Sequence, residues 1–331
     1  MNSNHSRASR ARVVFSREEQ NMAVYQANER AFAKINLFLR ITGRREDGYH
    51  LLSSVMQTVS LSDDLVILCS DKASEDGIRP GISLTCDVAG IPTDQRNTAY
   101  KAARIFLDCL GMPNIGISIH IAKRIPSQAG MGGGSADAAA VLRVLSGFFP
   151  DCIDKDHLHK VAAGIGADVP FCLQGGTQLC RGIGDELYPQ KSLAGVPLLL
   201  IKPPFGVSTP WAFSEIDRLV IDSSQEQRAE ESLLQILFSE TSSGPAERIA
   251  AAAPLLMNSF ERVVGNKYAE MDVLLSKLRE NGAIAARMSG SGSTIFGVFA
   301  SDEMRNRAEA KLRAELESSI AIYPATTCEI A

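Results

Sequence analysis

The stretch Lys123-Arg124-Ile125-Pro126-Ser127-Gln128-Ala129-Gly130-Met131-Gly132-Gly133-Gly134-Ser135-Ala136-Asp137-Ala138-Ala139-Ala140 is a glycine-rich turn that ends in a serine and continues into alanines. Glycines let a backbone bend through positive φ and come close to an anion with no Cβ in the way. A helix that starts there aims unpaired N–H groups and the positive end of its dipole at the same point. Ser135 adds a hydroxyl at the helix start. A flexible connector has similar composition, but Ile117-Ser118-Ile119-His120-Ile121 before the turn alternates as a strand does, and Ala138 to Leu145 after it reads as helix. Strand, loop and helix together point to a phosphate site.

Two common phosphate loops do not fit. A Walker loop ends in Gly-Lys-Ser/Thr, and no lysine lies between Lys123 and Lys155. A dinucleotide fingerprint wants an acidic residue about twenty positions on, at the tip of a second strand; Asp151 and Asp154 follow Phe148-Phe149-Pro150 in a turn with no strand before them.

Other residues could serve such a site. In a strand over Ala31 to Ile41, period two puts Lys34, Asn36, Phe38 and Arg40 on one face and Ala33, Ile35, Leu37, Leu39 and Ile41 on the other. Lys34 and Asn36 then point the same way, although a solvated edge strand would present a lysine too. Asp168, in Gly166-Ala167-Asp168-Val169-Pro170-Phe171, follows a helix, and Pro170 is expected to hold Val169 extended. A turn aspartate that caps a helix is the plainer reading. Tyr49 follows the tight turn at Asp47-Gly48 and reads as a rim residue, and Phe213 reads as core.

The elements that must position these residues follow from the pattern. After the strand at Ala31 come strands over Val55 to Val59 and Asp64 to Leu68 and a helix over Ala99 to Leu110 opened by Asn97. The strand Ile115 to Ile121, the glycine loop with its helix, and a short helix over Asp156 to Ala163 are next. A Pro/Gly-containing join lies between about Leu187 and Val196. Beyond it the strand Pro197 to Ile201 and a helix near Pro210 to Leu219 lead to a helix over Lys267 to Glu280, strands at Ala283 to Arg287 and Ser293 to Phe299, and a helix over Asp302 to Glu317. The pattern suits an α+β protein of two layered domains, residues 31–190 and 196–331.

At 331 residues, 45% hydrophobic and 22% charged, the chain has ordinary globular composition. A net charge of -4 argues against nucleic acid or an anionic membrane as partner, and there is no apolar run long enough to span a membrane. The seven cysteines are scattered with no Cys-x-x-Cys pair, which fits buried free thiols in a reducing compartment. Residues 1–30 are polar and rich in Ser, Arg and Asn before Glu18 and Glu19, and are expected to be a disordered extension. A plastid or mitochondrial targeting segment shares the Ser/Arg bias but does not turn acidic so soon, so a bacterial cytoplasmic protein is expected, with a plastid location left open.

The loop resembles the second motif of the GHMP kinase superfamily. Met288-Ser289-Gly290-Ser291-Gly292-Ser293-Thr294-Ile295-Phe296-Gly297 resembles its third, and Gly-Ala-Asp-Val-Pro-Phe resembles the string around its catalytic aspartate. The segment Ala33-Lys34-Ile35-Asn36-Leu37 through Gly43-Arg44-Arg45-Glu46-Asp47-Gly48-Tyr49-His50 is more selective, and is similar to the kinases of the non-mevalonate isoprenoid pathway that act on 4-diphosphocytidyl-2-C-methyl-D-erythritol. The resemblance covers about residues 31–300. It implies an N-terminal S5-like α/β domain and a ferredoxin-like C-terminal α+β domain with the active site in the cleft. It also implies ATP with Mg²⁺, a small-molecule alcohol as substrate, and no obligatory protein partner.

By the same resemblance Lys34 and Asp168 are catalytic, with Asp168 accepting the hydroxyl proton and Lys34 favouring the developing negative charge. Pro126 to Ala136 hold the ATP phosphates and Lys123 helps to hold the nucleotide. Tyr49 and Phe213 sandwich a cytosine, His50 hydrogen-bonds its edge, and Asn36 and Thr209 belong to the acceptor site. Trp211, the only tryptophan, competes with Phe213 for the stacking role. No acidic side chain stands out as a Mg²⁺ ligand, which leaves Ser135 and the phosphates themselves. Two departures from the family pattern are Ala136-Asp137, where many relatives carry Ser-Asn or Ser-Asp, and Gln128-Ala129, where some carry two glycines.

Overall fold

The structure is a computed structural model that describes residues 24–330 except 71–77, 79, 113, 151, 220–222 and 241. Residues 1–23 of the expected extension lie outside the described part. From Val24 onward the chain is already strand, so the first element begins before Ala31. Strand β1 (Val24–Arg44) pairs antiparallel with β2 (His50–Ser70), and the two are joined by a turn in which Arg45 N donates to the Tyr49 carbonyl at 2.7 Å. The two strands expected at 55–59 and 64–68 are one.

β2 is the centre of the first sheet. β1 takes one edge along its length. On the other edge Asp64 to Ser70 pair with β4 (Gly116–Ala122), which carries β3 (Gly81–Cys86) parallel beside it. Further along that edge Ser54 to Gln57 pair with β5 (Thr177–Arg181), itself paired with β6 (Glu186–Pro189). Helices α1 (Thr98–Leu110), α2 (Gly133–Phe148), α3 (Lys155–Ile165) and α4 (Val169–Gln174) accompany the sheet. Asn97 caps α1 by accepting from Ala99 N at 2.9 Å, and the α2 alanines Ala136, Ala138, Ala139 and Ala140 are small enough for close packing against α1 and the sheet. Val169 opens α4 instead of being extended: Pro170 falls in the first helical turn, where a missing N–H costs nothing.

The second sheet has the order β10-β7-β9-β8, antiparallel throughout. Its strands are β7 (Pro197–Lys202), β8 (Ala285–Met288), β9 (Ile295–Val298) and β10 (Ala321–Thr326). Around it stand α5 (Thr209–Ile216), α6 (Ser223–Phe238), α7 (Pro245–Ala252), α8 (Glu261–Lys267), α9 (Glu270–Glu280) and α10 (Asp302–Glu315). The helix expected over 267–280 is α9, which begins only at Glu270; Lys267 is the last residue of α8, and Tyr268 and Ala269 part the two.

Apolar packing does not respect the division into sheets. One core cluster joins Ile35, Leu37 and Val59 to Leu198, Leu200, Leu233 and Phe296, and a second joins Leu39, Ile41 and Leu52 to Leu199, Phe260 and Met288. The chain end adds to this, with Cys328 N donating to the Thr58 carbonyl at 2.9 Å. Burying β1 against both layers fixes the seam where its polar residues face a cleft.

Candidate active site

The cleft measures about 900 Å³ and is lined by strands of the first sheet, by the glycine loop, and by the segment from Gly206 to Phe213, Phe260 and the β8–β9 turn beside the second sheet. Its floor is β1. Lys34 and Asn36 are buried at 4% and 1% exposure, so β1 is no solvated edge strand. Register shifts at Phe32/Lys34 and Asn36/Phe38 break the strict alternation, and Phe38, expected beside Lys34, is in the core. Lys34 Nζ donates to Asn36 Oδ1 at 2.8 Å, Asn36 Nδ2 donates to Ser54 Oγ at 2.8 Å, and Ser54 Oγ donates to the Phe38 carbonyl at 2.6 Å. This chain of bonds aims the ammonium at Asp168, whose Oδ2 lies 3.3 Å away. Asp168 stands at the N-cap position of α4, but its side chain makes no capping bond and stays partly open to the cleft.

The glycine loop lies against Lys34. Lys34 N donates to the Met131 carbonyl at 3.1 Å, Thr294 N to the Ala129 carbonyl at 3.1 Å, and Ser289 Oγ to the Gly130 carbonyl at 2.8 Å. Asn258 Nδ2 reaches the carbonyls of Met288 and Gly290 at 2.7 and 2.8 Å. The segments around Lys34, Gly130 and Ser289 therefore form one assembly. A Cβ on Gly130, at φ 73°, would collide with the Ser289 carbonyl oxygen. Gln128 takes φ 52°, a conformation glycine adopts freely and other residues adopt at a cost of about 1–2 kcal/mol.

Helix α2 begins after Gly132 with no side chain capping it, which leaves its first N–H groups to the cleft. Residues Pro126 to Ser135 line the cleft. Ala136 does not: it is buried, and its N–H closes the first helical turn on the Gly132 carbonyl at 2.8 Å. An uncapped helix start under a loop with no room for side chains fits a polyphosphate.

Lys123 lines the cleft too, but its Nζ is bonded to Asp63 Oδ2 at 2.5 Å and Asp137 Oδ2 at 2.7 Å. Asp63 Oδ1 also accepts from the backbone of Arg124 at 2.5 Å and of Ile125 at 2.8 Å, so it anchors the start of the loop. Asp137 Oδ1 is buried without a hydrogen-bond partner among the described residues. Burial, and then the Asp63 charge, push the Asp137 carboxyl up to about 7 against the opposing pull of Lys123, while the two carboxylates raise the Lys123 ammonium. Sequence reasoning missed Asp63. Its position in the middle of β2 gave no sign that it would meet a loop sixty residues on.

The other end of the cleft is aromatic. Phe213 and Thr209 of α5 line it, with Thr209 Oγ1 2.8 Å from Ser291 Oγ. His50 lies flat on Phe213, ring centroids 4.5 Å apart and planes at 18°, and Phe260 meets Phe213 edge-on at 4.9 Å. Tyr49 stands 59% exposed, and the ring that lies on Phe213 is that of His50; neither Tyr49 nor His50 is among the residues that line the cleft. Trp211 turns away, under Lys267 Nζ at 4.0 Å and against Tyr268 at 6.4 Å, and is absent from the cleft wall. Between Phe213 and Trp211 the geometry favours Phe213. Asp217, another residue the sequence did not announce, accepts from Arg44 and meets His50.

No helix among the described residues is long and apolar enough to cross a membrane.

Comparison with known proteins agrees with this geometry. The sequence model for the GHMP kinases N terminal domain matches residues 97–176, and that for the GHMP kinases C terminal domain matches 237–318. A 4-diphosphocytidyl-2-C-methyl-D-erythritol kinase of Clostridium acetobutylicum is 38% identical over 272 residues, 82% of this chain and 90% of the relative; its Clostridium botulinum counterpart is 39% identical over the same length. A crystal structure of 4-(cytidine 5'-diphospho)-2C-methyl-D-erythritol kinase superposes with a TM-score of 0.69 at 31% identity, covering 91% of this chain and 98% of the other. Homoserine kinase from Cytophaga hutchinsonii, at 18% identity and a TM-score of 0.66, shares the fold over 95% of this chain and 97% of its own. Three motifs gathered on one cleft, and close relatives matched along four-fifths of the sequence, show that the chain belongs to the GHMP kinases and, among them, to the 4-diphosphocytidyl-2-C-methyl-D-erythritol kinase family.

Proposed function

We propose that this protein transfers the γ-phosphoryl group of ATP to the 2-hydroxyl of 4-diphosphocytidyl-2-C-methyl-D-erythritol, giving the 2-phosphate and ADP on the non-mevalonate route to isoprenoid precursors. The observation that carries this reading is the Lys34–Asp168 pair, 3.3 Å apart in a cleft between an uncapped helix start and an aromatic end. Asp168 accepts the proton of the acceptor hydroxyl. Lys34, held by Asn36, offsets the charge that builds on that oxygen and holds the Asp168 carboxylate toward it. The N–H groups at the start of α2 take up negative charge on the transferred phosphoryl group, as the positive end of a helix dipole does. Mg²⁺, when bound with the nucleotide, supplies further neutralisation at the phosphates, and Ser135 is the side chain at hand to hold it.

In this reading Lys123 works from behind the loop. Its ammonium is committed to Asp63 and Asp137, so it fixes the loop to α2 and offers the nucleotide no free donor. Thr209 and Asn36 border the sugar-alcohol, and Tyr49, His50 and Phe213 receive the base.

Purified protein with Mg²⁺-ATP and a panel of the cytidine diphospho-alcohol, homoserine and mevalonate tests the assignment through ADP release. Turnover with the cytidine compound alone is expected. Turnover with homoserine or mevalonate in its place would move the protein to another branch of the superfamily.

A further inference from the structure

His50 opens β2 and reaches across to the C-terminal end of α5, where its Nε2 lies 2.6 Å from Asp217 Oδ1. The other carboxylate oxygen accepts from Arg44 Nη1 at 3.1 Å, and Arg44 Nε donates to the Gly48 carbonyl at 3.1 Å. The contact is therefore braced on both sides: the β1–β2 turn holds Arg44, Arg44 holds Asp217, and Asp217 holds the imidazole. An ionised carboxylate can only accept a hydrogen bond, so the proton in the 2.6 Å contact sits on Nε2. In the neutral ring that leaves Nδ1 as a bare acceptor. Nδ1 has no hydrogen-bond partner among the described residues.

The stack on Phe213 gives this acceptor a direction. A hydrogen bond to an imidazole nitrogen lies near the ring plane, and that plane is within 18° of the Phe213 ring. A planar base bonded to Nδ1 would thus continue the imidazole's layer and lie parallel to Phe213. It would not need the face His50 already covers. Cytosine presents an N4–H₂ donor at the position where uracil, like thymine, presents the O4 acceptor. An acceptor fixed at Nδ1 bonds the first and repels the second.

We infer that Asp217 is a specificity-determining positioning residue, which holds His50 as the Nε2–H tautomer so that Nδ1 selects a cytosine amine over a uracil carbonyl. The inference rests on the reading that the base binds at the aromatic end of the cleft. Arg44 supports it by fixing the carboxylate.

Nitrogen NMR of the ¹⁵N-labelled protein, together with calorimetry of CDP and UDP, tests it. In the wild-type protein the His50 ring should carry its only proton on Nε2, and CDP should bind more tightly than UDP. In Asp217→Ala the tautomers should mix and the CDP preference should fall about tenfold, the factor one hydrogen bond carries; retained ATP binding would show that the variant is folded. A wild-type ring protonated on Nδ1, or on both nitrogens, would overturn the inference even if the variant fails to fold. So would equal wild-type affinity for CDP and UDP, or an unaltered preference in folded Asp217→Ala, either of which leaves the kinase reading intact. Failure of the wild-type protein to bind either nucleotide would overturn both this inference and the base site it rests on.

Discussion

At the phosphate end of the cleft the chain relies on backbone and buried charge, whereas at the aromatic end it relies on side chains near the surface. The side chains of Asp63, Asp137 and Lys123 are nearly covered, and the loop they anchor is tied by main-chain bonds to the Lys34 strand and the Ser289 turn. Tyr49, Arg44 and Asp217 are open to solvent, with the last two exposing 56% and 36% of their side chains. The difference matches what each end must recognise. Polyphosphate is charged, strongly hydrated and the same in every turnover, so a rigid cradle of N–H groups serves it at no cost in reorganisation. A base is read by stacking and by one or two edge contacts, which adjustable side chains can supply. Damage at the first end should abolish the site, and damage at the second should change affinity and choice.

The residues between the two ends should give the largest effect. Asp168→Asn keeps size and loses the proton acceptor, and a kcat lower by about 10² to 10⁴ is expected. Lys34→Met acts on the same hydroxyl through the 3.3 Å contact, so the double variant should be little worse than the poorer single one. Turnover under saturating ATP and acceptor measures all three. Asp168→Asn within a few-fold of wild type would remove the proton-acceptor role, and strictly multiplicative losses would give the two residues separate roles.

Next in size is Gly130→Ala. The added Cβ meets the Ser289 carbonyl, which is backbone and cannot swing aside, and φ 73° is itself strained for alanine. The loop must then leave the Ser289 turn. ATP affinity should drop below detection by calorimetry while circular dichroism still reports a folded chain; normal ATP affinity would mean that this loop does not form the phosphate cradle. Gly133→Val should also damage the loop, because its Cβ meets the buried Ile125 side chain and the Lys123 Nζ that Asp63 and Asp137 clamp, although neither contact is with backbone.

At the aromatic end the losses should be graded. Tyr49→Ala should raise the acceptor KM by the equivalent of about 1 to 3 kcal/mol of stacking, with ATP KM little altered. Trp211→Ala should leave acceptor KM near wild type, because that ring packs on Tyr268 and Lys267 away from the cleft. If the two variants changed places in steady-state kinetics, the base would lie on the other side of α5.

Legibility in the sequence divides along the same line. The glycine loop could be read because its function is written in neighbouring residues: strand, turn, serine and alanines in order. Lys34 and Asn36 could be paired by strand period, although bulges moved Phe38 to the core. Asp63 and Asp217 could not be read, since each meets its partner only through the fold, 61 residues away for Asp63 and Arg124 and 167 for His50 and Asp217. Asp63 also explains why two expected strands are one: a carboxylate in mid-strand looks like a break until three donors satisfy it. The short strands β3, β5, β6 and β10 are not legible, because four to six residues beside glycines or charges carry too little periodicity to stand out.

The smallest effect sharpens the contrast from the buried side. Asp137 has a carboxyl raised from 3.8 to about 7 in the folded chain, chiefly by burial and secondarily by the charge on Asp63. Between those values the folded state holds a proton that the unfolded state has released, so stability must fall as pH rises through the window. The contribution is complete below about pH 4 and gone above about pH 7. Lys123 does not oppose this, since its pKa is raised above 10.5 and its own contribution is lost only in more alkaline solution. Asp137→Asn cannot titrate, so its thermal midpoint should lack the part of the decline between pH 4 and 7 that the wild-type protein owes to this carboxyl. Comparing the two slopes across that range is the measurement. Parallel slopes would mean that Asp137 is ionised throughout, with Lys123 outweighing burial.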